Sequence, residues 1–203
     1  MSLPSDQLVA LIVATSFAAG LNVYGTVGTL GLLARSGVIE LPGSLHLVES
    51  WWVIGACAVL FAIEFFADKV PAVDLVWNAL QTFVRVPVGA LLAFGATTQL
   101  SPGWQLAATT AGGAIAFAAH GGKTALRVAA TTSPEPFSNA ALSFGEDAFA
   151  IFLTWFATRH PYIAAAIALA CIVVIVVLVR LIIRAVRALF RGAEAQLQSS
   201  GQP

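Results

Sequence analysis

The amino-acid sequence predicts an all-α fold, a polytopic integral membrane protein of about six transmembrane helices, some of them interrupted by Pro or Gly. Three observations carry this prediction. Of 203 residues, 59% are hydrophobic and 10% charged, and the mean hydropathy is +0.88, far above a water-soluble domain of ordinary composition. Apolar runs of span length, bounded by charge, Pro and Gly, recur at about 8–34, 51–67, 75–98, 104–121, 137–158 and 162–184. Runs such as AAAIALACIVVIVVLV lack period-two alternation, so helices rather than a closed barrel must satisfy the backbone in lipid.

The same arithmetic bounds the organisation. Residues 1–190 read as a single transmembrane domain, and 191–203, ending QLQSSGQP, as a disordered cytoplasmic tail. Ten Lys and Arg balance ten Asp and Glu, which argues against a nucleic-acid partner, and the spans leave no length for a separate soluble catalytic domain. Cys57 and Cys171 lie in apolar runs and behave as small hydrophobes. Met1–Leu8 has no Lys or Arg, so a cleaved signal peptide is not expected.

The first span is interrupted at Gly20-Leu21-Asn22. Gly25, Gly28 and Gly31 then form a small-residue stripe suited to close helix approach, within the chain or between copies. Asn22, deep in an apolar run, needs a partner. The second span ends at Glu64, Asp68 and Lys69. Pro71 and Asp74 open the third, with Asp74 an N-terminal helix charge. That span carries Asn78 and Arg85. The fourth ends in His120, Lys123 and Arg127. The segment SPEPFSN then leads, extended by its prolines, into a fifth span bearing Asn139, Glu146 and Asp147. The sixth continues past residue 184 with Arg180, Arg184, Arg187 and Arg191 along one helical face, either solvated or docked on anionic headgroups.

Orientation follows from Lys and Arg. With the N-terminus inside, the inner segments hold Lys69, Lys123, Arg127, Arg180, Arg184, Arg187 and Arg191, and the outer ones Arg35 and Arg159. Both termini are therefore expected in the cytoplasm, the protein sitting in a bacterial inner membrane. Trp51, Trp52, Trp104, Trp155 and Tyr162 fall at the outer ends as an interfacial belt, with Trp77 on the inner side.

Two stretches suggest a duplicated hairpin. AIEFFAD at 62–68 aligns with AIAFAAH at 114–120, placing Asp68 opposite His120, and WNALQTF at 77–83 aligns with SNAALSF at 138–144, pairing Asn78 with Asn139. Spans two and three would then repeat as four and five, with a site at the repeat interface. Arg85, Glu146 and Asp147 each lie about ten residues into their spans, roughly 15 Å and so near the midplane. An unpaired charge there costs about 2.5–3.5 kcal/mol, so Arg85 is expected to pair with Glu146 or Asp147. One carboxylate remains, to be protonated, to bind a cation or to face water. Glu64, Asp68, Lys69, Asp74, His120, Lys123 and Arg127 form a second polar cluster at the cytoplasmic mouth.

The strings GLNVYGTVGTLGLLAR, IEFFADKVPAVDLVWNALQTFVR, HGGKTALR, SPEPFSN and FGED resemble an uncharacterised family of membrane proteins, domain of unknown function 4126, over nearly the whole chain. The resemblance implies a polytopic helical protein and no established activity, so no catalytic residues carry over. The expectation is a small transporter or channel, a homo-oligomer in the lipid bilayer, moving a small solute or ion past Arg85, Glu146, Asp147, Asn78, Asn139 and Asn22. A lipid-modifying enzyme with a carboxylate and His site at the inner surface is the alternative. It has against it the absence of H-E-x-x-H, G-x-S-x-G or a phosphate loop, and no cofactor is expected. A non-catalytic scaffold is the third possibility.

Overall fold

A computed structural model describes residues 4–130 and 136–200, and it is all-helical, with no strand among the described residues. The helices are α1 (Ser5–Leu21), α2 (Val23–Arg35), α3 (Trp51–Ala67), α4 (Pro71–Ala96), α5 (Pro102–Ala130), α6 (Pro136–Arg159) and α7 (Pro161–Ser200), with a short 3-10 helix at Gly43–Glu49. Four of the seven begin on proline, whose fixed φ suits the first helical turn and whose missing N–H would be unbonded there in any case. Ser50 caps α3 by accepting from Trp52 N. Past the end of α2 the chain needs a left-handed residue, and Gly37 supplies it at φ 73°.

α1 is the central element. It is apolar on every side and packs against α4, α5, α6 and α7, burying Ala14, Phe17, Ala18 and Leu21 among Leu153, Ala157, Ala164 and Ala168. The helices approach on small residues. A Cβ added to Gly20 would stand 2.4 Å from the Ala116 carbonyl oxygen, and one on Gly89 would stand 2.5 Å from Ala116 Cβ. α4 packs chiefly on α5, and α3 on α2. The helices of each supposed hairpin, α3 with α4 and α5 with α6, touch little.

Three expectations are corrected here. The first span is not one crossing of 8–34. It breaks at Asn22, whose extended backbone (φ −147°, ψ 105°) turns α2 back beside α1. Asp6 at the start of α1 bonds Tyr162 at the start of α7, while Gln7, Gly37–Pro42, Gln99 and Arg159 border one crevice, so α1 begins and α2 ends at the same end of the bundle. Ser5 and Ser200 therefore lie at opposite ends, not on one side. Met1–Leu8 carries no Lys or Arg, so charge bias never constrained that side. Second, α7 remains helical to Ser200, where a disordered tail from 191 was expected, because AEAQLQ consists of strong helix formers. Third, the Gly25, Gly28 and Gly31 stripe is filled within the chain, against Phe61, Cys57 and Ile54 of α3, so it is no free face for a second copy.

Polarity is distributed inside out. Trp52, Phe83, Phe66, Leu106 and Phe144 are largely exposed, whereas Glu64, Asp68, Arg85, Lys123 and Arg127 are buried. Val76–Ala96 and Pro161–Ala185 are long and apolar enough to cross a membrane. α5 and α6 are long enough as well, but they carry His120, Lys123, Arg127, Glu146 and Asp147.

Candidate functional site

The two polar clusters expected from the sequence form one network. Glu64 and Asp68, one helical turn apart at the end of α3, face the interior beside Arg85 of α4, His120, Lys123 and Arg127 of α5, and Glu146 and Asp147 of α6. Arg85 does not pair with Glu146 or Asp147. Its Nη2 bonds Glu64, and its Nη1 donates to Gly20 O (3.2 Å) and faces His120 Nδ1 (3.1 Å). Of the expected partners, Glu146 faces Lys123 and Arg127, and Asp147 is bonded by Asn22. Lys123 Nζ sits 3.4 Å from both Glu64 and Glu146, 3.8 Å from Asp68, and 3.2 Å from Leu21 O. Arg127 Nη2 closes the row on Asp68 (2.6 Å) and Glu146 (2.9 Å).

The broken helix reaches into this row from above. The last carbonyls of α1, at Gly20 and Leu21, carry the negative end of the helix dipole and are held by Arg85 and Lys123. Asn22 takes both sides of the break. Its Oδ1 caps α2 by accepting from Gly25 N (2.8 Å), and its Nδ2 donates to Asp147 Oδ1 (2.7 Å). Asp147 Oδ2, Glu64 Oε2 and Arg85 Nε have no hydrogen-bond partner among the described residues.

The proton on His120 follows from its neighbours. Arg85 Nη1 can only donate, so His120 Nδ1 accepts and Nε2 carries the hydrogen, given to Asn78 O at 3.0 Å. With His120 neutral, three cations (Arg85, Lys123, Arg127) meet four carboxylates (Glu64, Asp68, Glu146, Asp147). The surplus is Asp147, which is 3% exposed and bonded to an amide alone among the described residues.

Among the remaining expected residues, Asn78 is buried beside His120, and Lys69 stands outside the network, its Nζ bonded to Phe65 O and 3.1 Å above the Phe65 ring. The side chains of Asp74 and Asn139, and residues 131–135 of the SPEPFSN region, lie outside the described residues. Among the described residues no three His, Cys, Asp or Glu are grouped to hold a metal.

Four contributors were not foreseen. Ser143 donates to Asp68 (2.9 Å), Thr82 bonds His120 (2.9 Å), and Gln81 donates to Tyr24 (3.0 Å) at the entry of α2. The signal for two of them lay in the repeat alignment, which sets Thr82 opposite Ser143 just as it sets Asp68 opposite His120. In that alignment the Thr82–His120 and Ser143–Asp68 bonds join corresponding positions. The same alignment sets Arg85 opposite Glu146, cation against anion.

A separate crevice of about 870 Å³ opens at the other end of the bundle between α1, α4 and the α6–α7 turn, lined by Gln7, Thr15, Leu92, Gln99 and Arg159. Its inner wall at Thr15 is seven residues of α1, about 10 Å, short of Asn22.

Compared with known proteins, the chain matches no curated protein and no solved structure. A family model does match, over residues 9–181. The chain belongs to the family described as domain of unknown function (DUF4126).

Proposed function

We propose that the protein is a small membrane transporter or channel, passing a small solute or ion between its helices through the Arg85–Asp147 region in step with a proton on Asp147. One observation carries this: six charged side chains are buried and a seventh, Glu146, half-buried around the tips of a broken helix, with one more carboxylate than the cations balance. Ionisable groups at membrane depth are expensive, and they mark pathways and proton relays more often than packing. Discontinuous helices place carbonyls and amide dipoles at such sites.

On this reading the bilayer surrounds the apolar exterior, and α3 to α7 cross it. α1 and α2 dip in from the crevice side and return, and the end bearing Lys69 and Arg184 faces the cytoplasm. The structure then corresponds to an occluded state. The crevice is an outer vestibule, and the carbonyls of Gly20 and Leu21 are held by Arg85 and Lys123. Opening would pull the α1–α2 tip from these cations and free the carbonyls for a passing solute. A proton added to Asp147 makes the network three against three and loosens the hold of the cations. The carboxylates are engaged by Arg and Lys instead of gathered around a metal site, which favours transport over a lipid-modifying enzyme.

The buried, closed Arg85–Glu64 contact would equally serve a static pin between helices, and one measurement separates the two. Proteoliposomes under a potassium diffusion potential, with an entrapped pH dye, are expected to show proton flux that Asp147→Asn and Glu146→Gln each reduce at least about tenfold, a barrier change of about 1.4 kcal/mol. Unchanged flux in both folded variants, or no flux above protein-free vesicles, overturns the proposal.

A further inference from the structure

The stretch of α7 from Arg180 to Arg191 carries a second feature, remote from the buried network. Arg180, Arg184, Arg187 and Arg191 are spaced by four, three and four, so they fall within an arc of about 60° on a helix of 3.6 residues per turn. All four are exposed, and none has an ion-pair partner among the described residues. Nearer the bundle, Ile175, Leu178 and Ile182 of α7 border one small cleft with Gly122, Ala125 and Leu126 of α5.

Depth decides what such a ridge meets. Among the described residues, Pro161–Ala185 is the more apolar of the two segments long and apolar enough to cross a membrane. Counting about 1.5 Å per residue from Pro161, Arg180 lies at about 28 Å, Arg184 at about 34 Å, Arg187 at about 39 Å and Arg191 at about 45 Å. A hydrocarbon core of about 30 Å therefore ends at Arg180, and the next two arginines stand in the headgroup layer. Their guanidinium groups present planar, paired donors suited to phosphate oxygens. An aqueous partner would fit a ridge confined to the part of the helix beyond the headgroups. This ridge begins at the hydrocarbon edge.

We infer that the α7 ridge binds the phosphate headgroups of anionic phospholipid in the leaflet at this end of the bundle. The inference rests on α7 crossing a bilayer and is independent of any flux through the charge network.

The test uses the full chain in neutral maltoside detergent, titrated with phosphatidylglycerol or phosphatidylcholine, with bound lipid counted by native mass spectrometry. Phosphatidylglycerol is expected to bind more tightly, with affinity falling about fivefold for each arginine removed in a series from Arg191→Gln to the fourfold Gln variant. The preference should collapse in 0.5 M salt, a condition of the experiment in which the Debye length is only a few ångströms. The fourfold Lys variant keeps the charge and should keep most of the preference. Equal binding of the two lipids, a fourfold Gln variant that still prefers phosphatidylglycerol, or displacement of the lipid by millimolar inorganic phosphate overturns the inference. In the native chain, proton flux without any preference between the two lipids sinks this proposal alone, and lipid preference without proton flux sinks the transport reading alone.

Discussion

Arg85 engages three partners at once, and replacing it tests whether Glu64 is its counter-ion. Arg85→Met keeps the apolar stem and removes the donors to Glu64, Gly20 O and His120 Nδ1. Breaking a buried ion pair from one side costs about 3–5 kcal/mol, because the other charge is stranded. Each neutral acceptor left without a donor adds about 1–3 kcal/mol. The sum, about 5–8 kcal/mol allowing for Lys123 at 3.4 Å from Glu64, is comparable to the whole stability of many folded proteins. Adding Glu64→Gln removes the stranded charge and returns the network to its native excess of one carboxylate. Only the two neutral acceptors then remain unbonded. The double variant should recover about 3 kcal/mol, which at this chain length is about 6–12 °C of melting temperature. Thermal unfolding in detergent, followed by circular dichroism at the helical band, reads the difference. A double variant that melts at or below Arg85→Met would show that Glu64 is not the partner that Arg85 neutralises, and the network would have to be redrawn around Lys123.

Other outcomes follow from the packing of the broken helix. Gly20→Ala puts a Cβ 2.4 Å from a backbone oxygen of α5 and 2.7 Å from Ala119 Cβ, neither of which can step aside, so it should cost about 1–3 kcal/mol in the same assay. Gly55→Ala, with nothing within 4 Å, is the control and should be neutral or stabilising by up to about 1 kcal/mol; equal losses in both would discredit the close α1–α5 approach. Asn22→Ala removes the α2 cap and the only donor to Asp147 among the described residues. It should destabilise by about 1–3 kcal/mol, where Asn22→Asp, which keeps the cap but sets a second carboxylate against Asp147, should do worse. An Asp variant as stable as the native protein would contradict the Asn22–Asp147 contact.

Much of this architecture is legible in the residues. Helix starts are marked by Pro71, Pro102, Pro136 and Pro161, and the interruption at Gly20-Leu21-Asn22 is visible as a polar residue in an apolar run. Glu64, Asp68, His120, Lys123 and Arg127 stand out by their type alone. Their partners do not. Arg85 and Asp147 lie at similar distances into their helices, yet each meets a different neighbour, because spacing along one helix sets height and relative face but not which helix that face is turned toward. The mouth and the midplane read as separate clusters in the sequence for the same reason. Lys123 and Arg127, counted as loop charges, have long side chains that bridge the gap.

Composition and hydropathy by themselves determined that the chain is helical and that its charges must be gathered, since lone charges among apolar surfaces are prohibitive. They also located the break in the first apolar run. Whether the chain beyond that break went on or turned back was decided by tertiary contacts. The Gly20 and Leu21 carbonyls found donors on α4 and α5, and Asn22 found a carboxylate on α6, so the open helix ends were satisfied inside the bundle and α2 was returned to the side from which α1 came.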